Sequence, residues 1–203
     1  PLVFKHHKVV ISGIVGEAKN TIIDCQGARC FAPRSTCNGE WNDETAIEDW
    51  WPLPFKGSWP FALNISYITL TNGTAPPGDS GGLIFMAMET DKTTWEHYNY
   101  RTTFNQVHFH GGKGFHGGCL SIHNRLVDVF NCTFTSCQAT HSGGAIAFSG
   151  STSVTLSHTL FKSNAATFND DYCKSEKFHG EIVGGGAIAG QAAIFQSANK
   201  LKL

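Results

Sequence analysis

Apolar and polar residues alternate in short runs along the chain: VVISGIV, ALNISYITL, LVDVFNCTF and SVTLSHTLF. Each run is bounded by Gly, Asn, Ser or Thr, and a period of two between turn residues predicts strands. Helical periodicity is nearly absent, so the pattern predicts an all-β chain. Gly-Gly followed by a further apolar alternation recurs four times, at Gly81-Gly82, Gly117-Gly118, Gly143-Gly144 and Gly185-Gly186.

A strand precedes each pair in one common frame, visible when LNISYITLTNG, TTFNQVHFHGG, VDVFNCTFTSC and VTLSHTLFKSN are aligned. The frame predicts inward positions at Leu63, Ile65 and Leu70; Thr102, Phe104 and Phe109; Val127, Val129 and Phe134; and Val154, Leu156 and Phe161. It also predicts two outward columns, Asn64/Thr103/Asp128/Thr155 and Ser66/Asn105/Phe130/Ser157. The step from Gly117 to Gly143 is 26 residues, the uninterrupted repeat; steps of 36 (81 to 117) and 42 (143 to 185) are the same unit carrying loops. Alternation, a turn and a return to register describe parallel strands wound into a solenoid, each unit stable only when stacked on the next. The fold expected is a parallel β-helix, a single domain over residues 1–203 with a Trp/Pro-rich insertion at about 31–60 and loops at about 87–101 and 166–183.

GGAI at 143–146 and 185–188, together with Phe161-Lys-Ser-Asn164, resembles the GGAI and FxxN repeats of chlamydial polymorphic membrane proteins. Similar repeats occur in right-handed β-helix surface proteins of algae and other protists. The opening VVISGIVGEAKNTIIDCQG is similar to the first coil of such proteins. The resemblance covers roughly residues 8–30 and 60–195, and Cys137 stands where the FxxN Asn164 stands one repeat later. It implies a right-handed helix and surface display, adhesion or wall structure, with no defined reaction.

Composition narrows the setting. Charged residues make up 15% of the chain, against roughly 25% in an ordinary soluble domain. The formal net charge of -1 gives no electrostatic reason for a nucleic-acid partner. No run approaches the roughly 18 apolar residues of a membrane span. The N-terminus PLVFKHHKVV has neither Met nor a signal-peptide layout, so the expectation is a removed leader or a piece of a longer chain. Seven cysteines (Cys25, Cys30, Cys37, Cys119, Cys132, Cys137 and Cys173) and three sequons (Asn64, Asn72 and Asn131) point to a secreted, N-glycosylated protein. A bridge is expected among Cys25, Cys30 and Cys37, and the odd count leaves at least one thiol free, buried or paired between chains. Asn64 is expected to point outward, Asn72 to lie in a turn, and Asn131 to join Gln106 and His158 at a corner, as the least occupied sequon.

Several strings imitate active sites. Gly78-Asp79-Ser80-Gly81-Gly82 matches a serine-protease nucleophile motif, and Ile14-Val15-Gly16-Glu17 imitates an activated protease N-terminus. That chemistry needs a correctly placed His and a buried Asp. Only His6 and His7 precede Ser80, and Gly81-Gly82 begins a repeat strand, so the repeat explains the string. His108, His110 and His116 lack a Cys or carboxylate at ligand spacing and read as turn or solvated residues; no metal or cofactor is expected. Paired-carboxylate hydrolysis needs two acids close together, whereas the two outward columns hold only Asp128. A loop-built site from Asp170, Asp171 and His179, or from Arg125 beside Asp128, is the enzymatic alternative: a polysaccharide-acting lyase or glycoside hydrolase. These residues read first as solvated.

Residues 31–60 hold Trp41, Trp50, Trp51 and Trp59 beside the acids Asp43, Glu44, Glu48 and Asp49. Such an insertion packs on the solenoid wall or presents a binding surface for sugars or a neighbouring subunit. After the last GGAI unit no polar cap is evident, which leaves either further sequence or a covering subunit. The function expected is a secreted structural or adhesive surface protein, without catalytic residues. Its partners would be covalent N-glycans, cell-wall or matrix polysaccharide, and copies of itself stacked end to end in a filament.

Overall fold

The structure is a computed structural model of the chain. It describes residues 8–31, 34–35, 62–88, 101–123, 125–150, 152–167, 187–190 and 194–197. Among these residues there is no helix, and every strand pairing is parallel.

In chain order the strands are β1 (Lys8–Ser12), β2 (Ile22–Asp24), β3 (Arg34–Ser35), β4 (Ala62–Thr71), β5 (Ile84–Met88), β6 (Arg101–His110), β7 (Lys113–His116), β8 (Leu120–His123) and β9 (Leu126–Phe130). They continue as β10 (Thr133–Thr135), β11 (Gln138–Ser142), β12 (Ile146–Ser149), β13 (Ser153–Ser157), β14 (Leu160–Lys162), β15 (Ala165–Ala166), β16 (Ile188–Gly190) and β17 (Ile194–Ser197). A nine-stranded sheet runs β1-β4-β6-β9-β13-β17, with β2, β10 and β14 attached. A three-stranded sheet runs β15-β11-β7, and a five-stranded sheet runs β16-β12-β8-β5-β3. The chain visits the sheets in one order: β6, β7, β8, then β9–β10, β11, β12, then β13–β14 and β15. Phe109 consequently lies opposite Phe134, and Phe134 opposite Phe161.

All twelve inward positions are buried, none more than 7% exposed. Phe109 and Phe134 stack with ring centroids 4.4 Å apart and planes within 3°, and Phe161 stacks on Phe134 at 5.1 Å. Each such pair adds about 0.5–1.5 kcal/mol beyond its area burial. The core thereby forms a continuous wall from pass to pass. The outward columns also pair as expected, Asn64 with Thr103, Thr103 with Asp128, and Asp128 with Thr155.

Between strands the backbone turns through the left-handed region at fixed places. The register puts Tyr67, Gln106, Asn131 and His158 in one corner column, with φ of 56°, 54°, 52° and 50°. Asn72, Gly111, Ser136 and Ser163 form a second column, and Gly81, Gly117 and Gly143 a third. At Gly117 a Cβ would press on the carbonyl of Leu120, and at Gly118 on Gly144 and Gln138 of the next pass, so the double glycine answers both φ and close approach.

Several boundaries differ from the sequence-based expectation: Ala87 and Met88, placed in a loop, close β5, and Ala166 closes β15. Phe31 bridges Ile84 and β3 pairs β5, so strand pairing continues past residue 31, where the insertion was expected to begin. Arg101, placed in a loop, opens β6 opposite Leu126, because pairing with a neighbouring strand extends the ladder beyond the alternating run. Residues 36–61, 89–100 and 168–186 lie outside the described residues, and all the tryptophans are among them.

Candidate functional site: faces, corners and edges

The protease-like string is a structural turn. Asp79 is bound by Arg29 at 2.8 Å and accepts the Ser80 backbone N–H at 2.7 Å. Arg29 also donates to the carbonyls of Ser80 and Gly81, at 2.7 and 3.0 Å, and lies 5.1 Å over the Phe85 ring. Arg29 sits within the loop closed by the Cys25–Cys30 disulfide, so the bridged loop and the turn brace each other. Sequence patterns do not single out Arg29, whose partners lie about fifty residues away and leave no local signal.

Asp128 and Arg125 part company from the loop-built reading. Asp128 keeps its outward place but is only 8% exposed in its side chain, beneath Arg101, whose Nη1 reaches both carboxylate oxygens at 3.0 and 2.7 Å. Arg125, expected beside it in solvent, is instead 1% exposed. Burial pulls its guanidinium down to about 10. The correction has a simple cause: Arg125 immediately precedes β9 at a corner where the next pass, at Thr152 and Ser153, closes over it. Asp170, Asp171 and His179 lie outside the described residues.

His116 is also corrected from a turn or solvated residue. It is half-buried in β7, with its ring 4.5 Å from Phe115 and 4.7 Å from His141, and Nδ1 lies 2.7 Å from the Ser142 hydroxyl. His123 pairs similarly with Ser149 at 2.8 Å, and burial lowers its pKa. His108 is lowered first by burial and then by the charge of Lys19, while His110 is exposed. Among the described residues no group of three or more His, Cys, Asp or Glu could hold a metal ion.

The described cysteines sort into two bridges and one thiol. Cys25 pairs with Cys30, and Cys119 with Cys137, with Cα atoms 5.1 and 5.4 Å apart. Cys132 is buried; desolvation pushes its thiol up to about 12, which keeps it protonated and unreactive. Cys37 and Cys173 lie outside the described residues. The FxxN asparagine ties its corner to the preceding pass, since Asn164 accepts the Cys137 N–H and donates to the Phe134 carbonyl, both at 3.0 Å.

The three sequons occupy outward places. Asn64 is half-buried on the sheet face, whereas Asn72 and Asn131 are exposed at left-handed corners. Asn72 donates to Asp24 at 3.3 Å. Asn131 does align with Gln106 and His158, yet its exposure matches that of Asn72.

The remaining chemistry lies in the sheet edges. Among the described residues β1 pairs only β4 and β17 pairs only β13, so the first and last strands flank one all-parallel sheet. An edge strand carries a row of N–H and C=O groups that can template another strand. No helix among the described residues is long and apolar enough to cross a membrane. No family model, curated protein or solved structure matches the chain.

Proposed function

We propose that this chain is a secreted, N-glycosylated structural or adhesive surface protein, wound as a right-handed parallel β-helix, whose copies stack end to end in an extracellular filament. The observation that carries the reading is the order β1-β4-β6-β9-β13-β17, which sets the first and last described strands on opposite edges of one parallel sheet. Joining unlike edges is a heterologous contact that repeats without closing, the geometry of fibres. The fixed order of sheet visits supports the winding, and its hand follows from the near-universal right-handedness of parallel crossovers.

Two disulfides support an oxidising compartment. Glycans on Asn72 and Asn131 would stand at corners, beside the stacking direction rather than across it. The GGAI and FxxN phrases add their resemblance to repeats of surface-displayed proteins, for which cell-wall or matrix polysaccharide is the natural partner. Electron microscopy of natively isolated material tests the proposal. Regular filaments with density for these sheets at the subunit contacts are expected, and dispersed single particles would overturn self-assembly.

A further inference from the structure

The described histidines fall into two kinds. His116, His123 and His158 each hold Nδ1 against a serine hydroxyl, at 2.7, 2.8 and 2.8 Å, and His141 is buried. His108 and His110 form no such bond: among the described residues neither ring has a hydrogen-bond partner. They stand two residues apart on β6, and Phe109 between them is fully buried, stacked on Phe134 and edge-on to Phe104. Alternation along the strand therefore turns both imidazoles to the same outward face, with Cα atoms about 6.6 Å apart. Pairing on both sides fixes the backbone beneath them, His108 between Thr69 and Thr133, and His110 between Thr71 and Thr135. Threonine is shorter than histidine, so the two rings project past their neighbours, His108 half-buried and His110 exposed.

We propose that His108 and His110 together chelate a divalent transition-metal ion, copper(II) most tightly, with water completing the coordination. Imidazole nitrogen suits copper, nickel and zinc, and copper(II) stands highest among them for a given site. The ligands must be unprotonated. His108 meets that condition at neutral pH, because burial and then the charge of Lys19 lower its pKa. Lys19 lies on the excursion at 13–21 between β1 and β2, which rests against this face where Thr69 donates its hydroxyl to the Ala18 carbonyl. Its charge opposes a bound cation and so limits the affinity. Farther out, Asp24 stands opposite Thr71 and Lys162 opposite Thr135. Asp24 is already engaged by the Gln26 N–H and by Asn72, and acts as a countercharge rather than a ligand. The site belongs to a lateral face and is independent of filament stacking.

Titration of the full chain with copper(II) alone, in a non-coordinating buffer at neutral pH, tests the site. One ion bound by two imidazole nitrogens is expected in the electron paramagnetic resonance spectrum. His110→Ala alters an exposed position and should weaken binding by about 100-fold, because the second imidazole binds intramolecularly. His108→Asn makes the same test from the half-buried ring. Lys19→Met should tighten binding several-fold and leave the two-nitrogen signature unchanged. His6→Ala with His7→Ala should leave both affinity and signature in place. The proposal is overturned if copper(II) fails to bind at micromolar concentration, if binding survives His110→Ala and His108→Asn, or if it is lost with His6 and His7.

Discussion

Two sets of corners between the parallel strands share a backbone conformation and nothing else. At one, Gly81, Gly117 and Gly143 recur with φ of 70°, 61° and 62°. At the other, Tyr67, Gln106, Asn131 and His158 adopt φ of 50–56° with four unlike side chains. Positive φ alone therefore does not demand glycine here; it is tolerated at about 1–3 kcal/mol where the surrounding ladder holds it. What separates the corners is space for a Cβ. At the glycine corner it would meet the carbonyl three residues on, while side chains at the mixed corner stand outward, half-buried or exposed.

Substitutions at the corners break the comparison in graded steps. Gly118→Val forces a branched side chain against Gly144 and Gln138 of the next pass. A loss of about 4 kcal/mol, or failure to fold, is expected in denaturant titration. Asn164→Ala should cost about 2 kcal/mol by the same measurement, because it strands the Cys137 N–H and the Phe134 carbonyl. Gln106→Gly, which relieves the left-handed φ but frees the unfolded backbone, should change stability by less than about 1 kcal/mol. A large effect at Gln106 would mean that the mixed corner depends on its side chains after all.

The same contrast explains what could be read from the amino-acid order. Gly117-Gly118 announces its corner because a steric demand selects one residue type, and the inward run Val127, Val129 and Phe134 announces its face through a period of two. The pairing of Phe109, Phe134 and Phe161 followed from aligning those runs. Arg29 and Arg101 could not be placed that way. Each acts on a residue from another pass, Asp79 or Asp128, and neither partner constrains the residue types near it. Arg125 misled for a related reason, since a charged residue at a strand start reads as solvated unless the pass above it is known. The alignment set Gln106, Asn131 and His158 at one corner, but with no common residue type it gave no sign of the left-handed backbone there or of Tyr67's place in the column.

The excursion at 13–21 lies between Ser12, paired with Ser66, and Ile22, paired with Thr69. Between the same two anchors β4 spends only Tyr67 and Ile68. The ladder thus keeps count of inward side chains and ignores how much chain is spent outside them. Length can be added at a corner without moving a single pairing downstream, so the corners are where such a chain can diversify, or accept a grafted peptide, at no cost to its register.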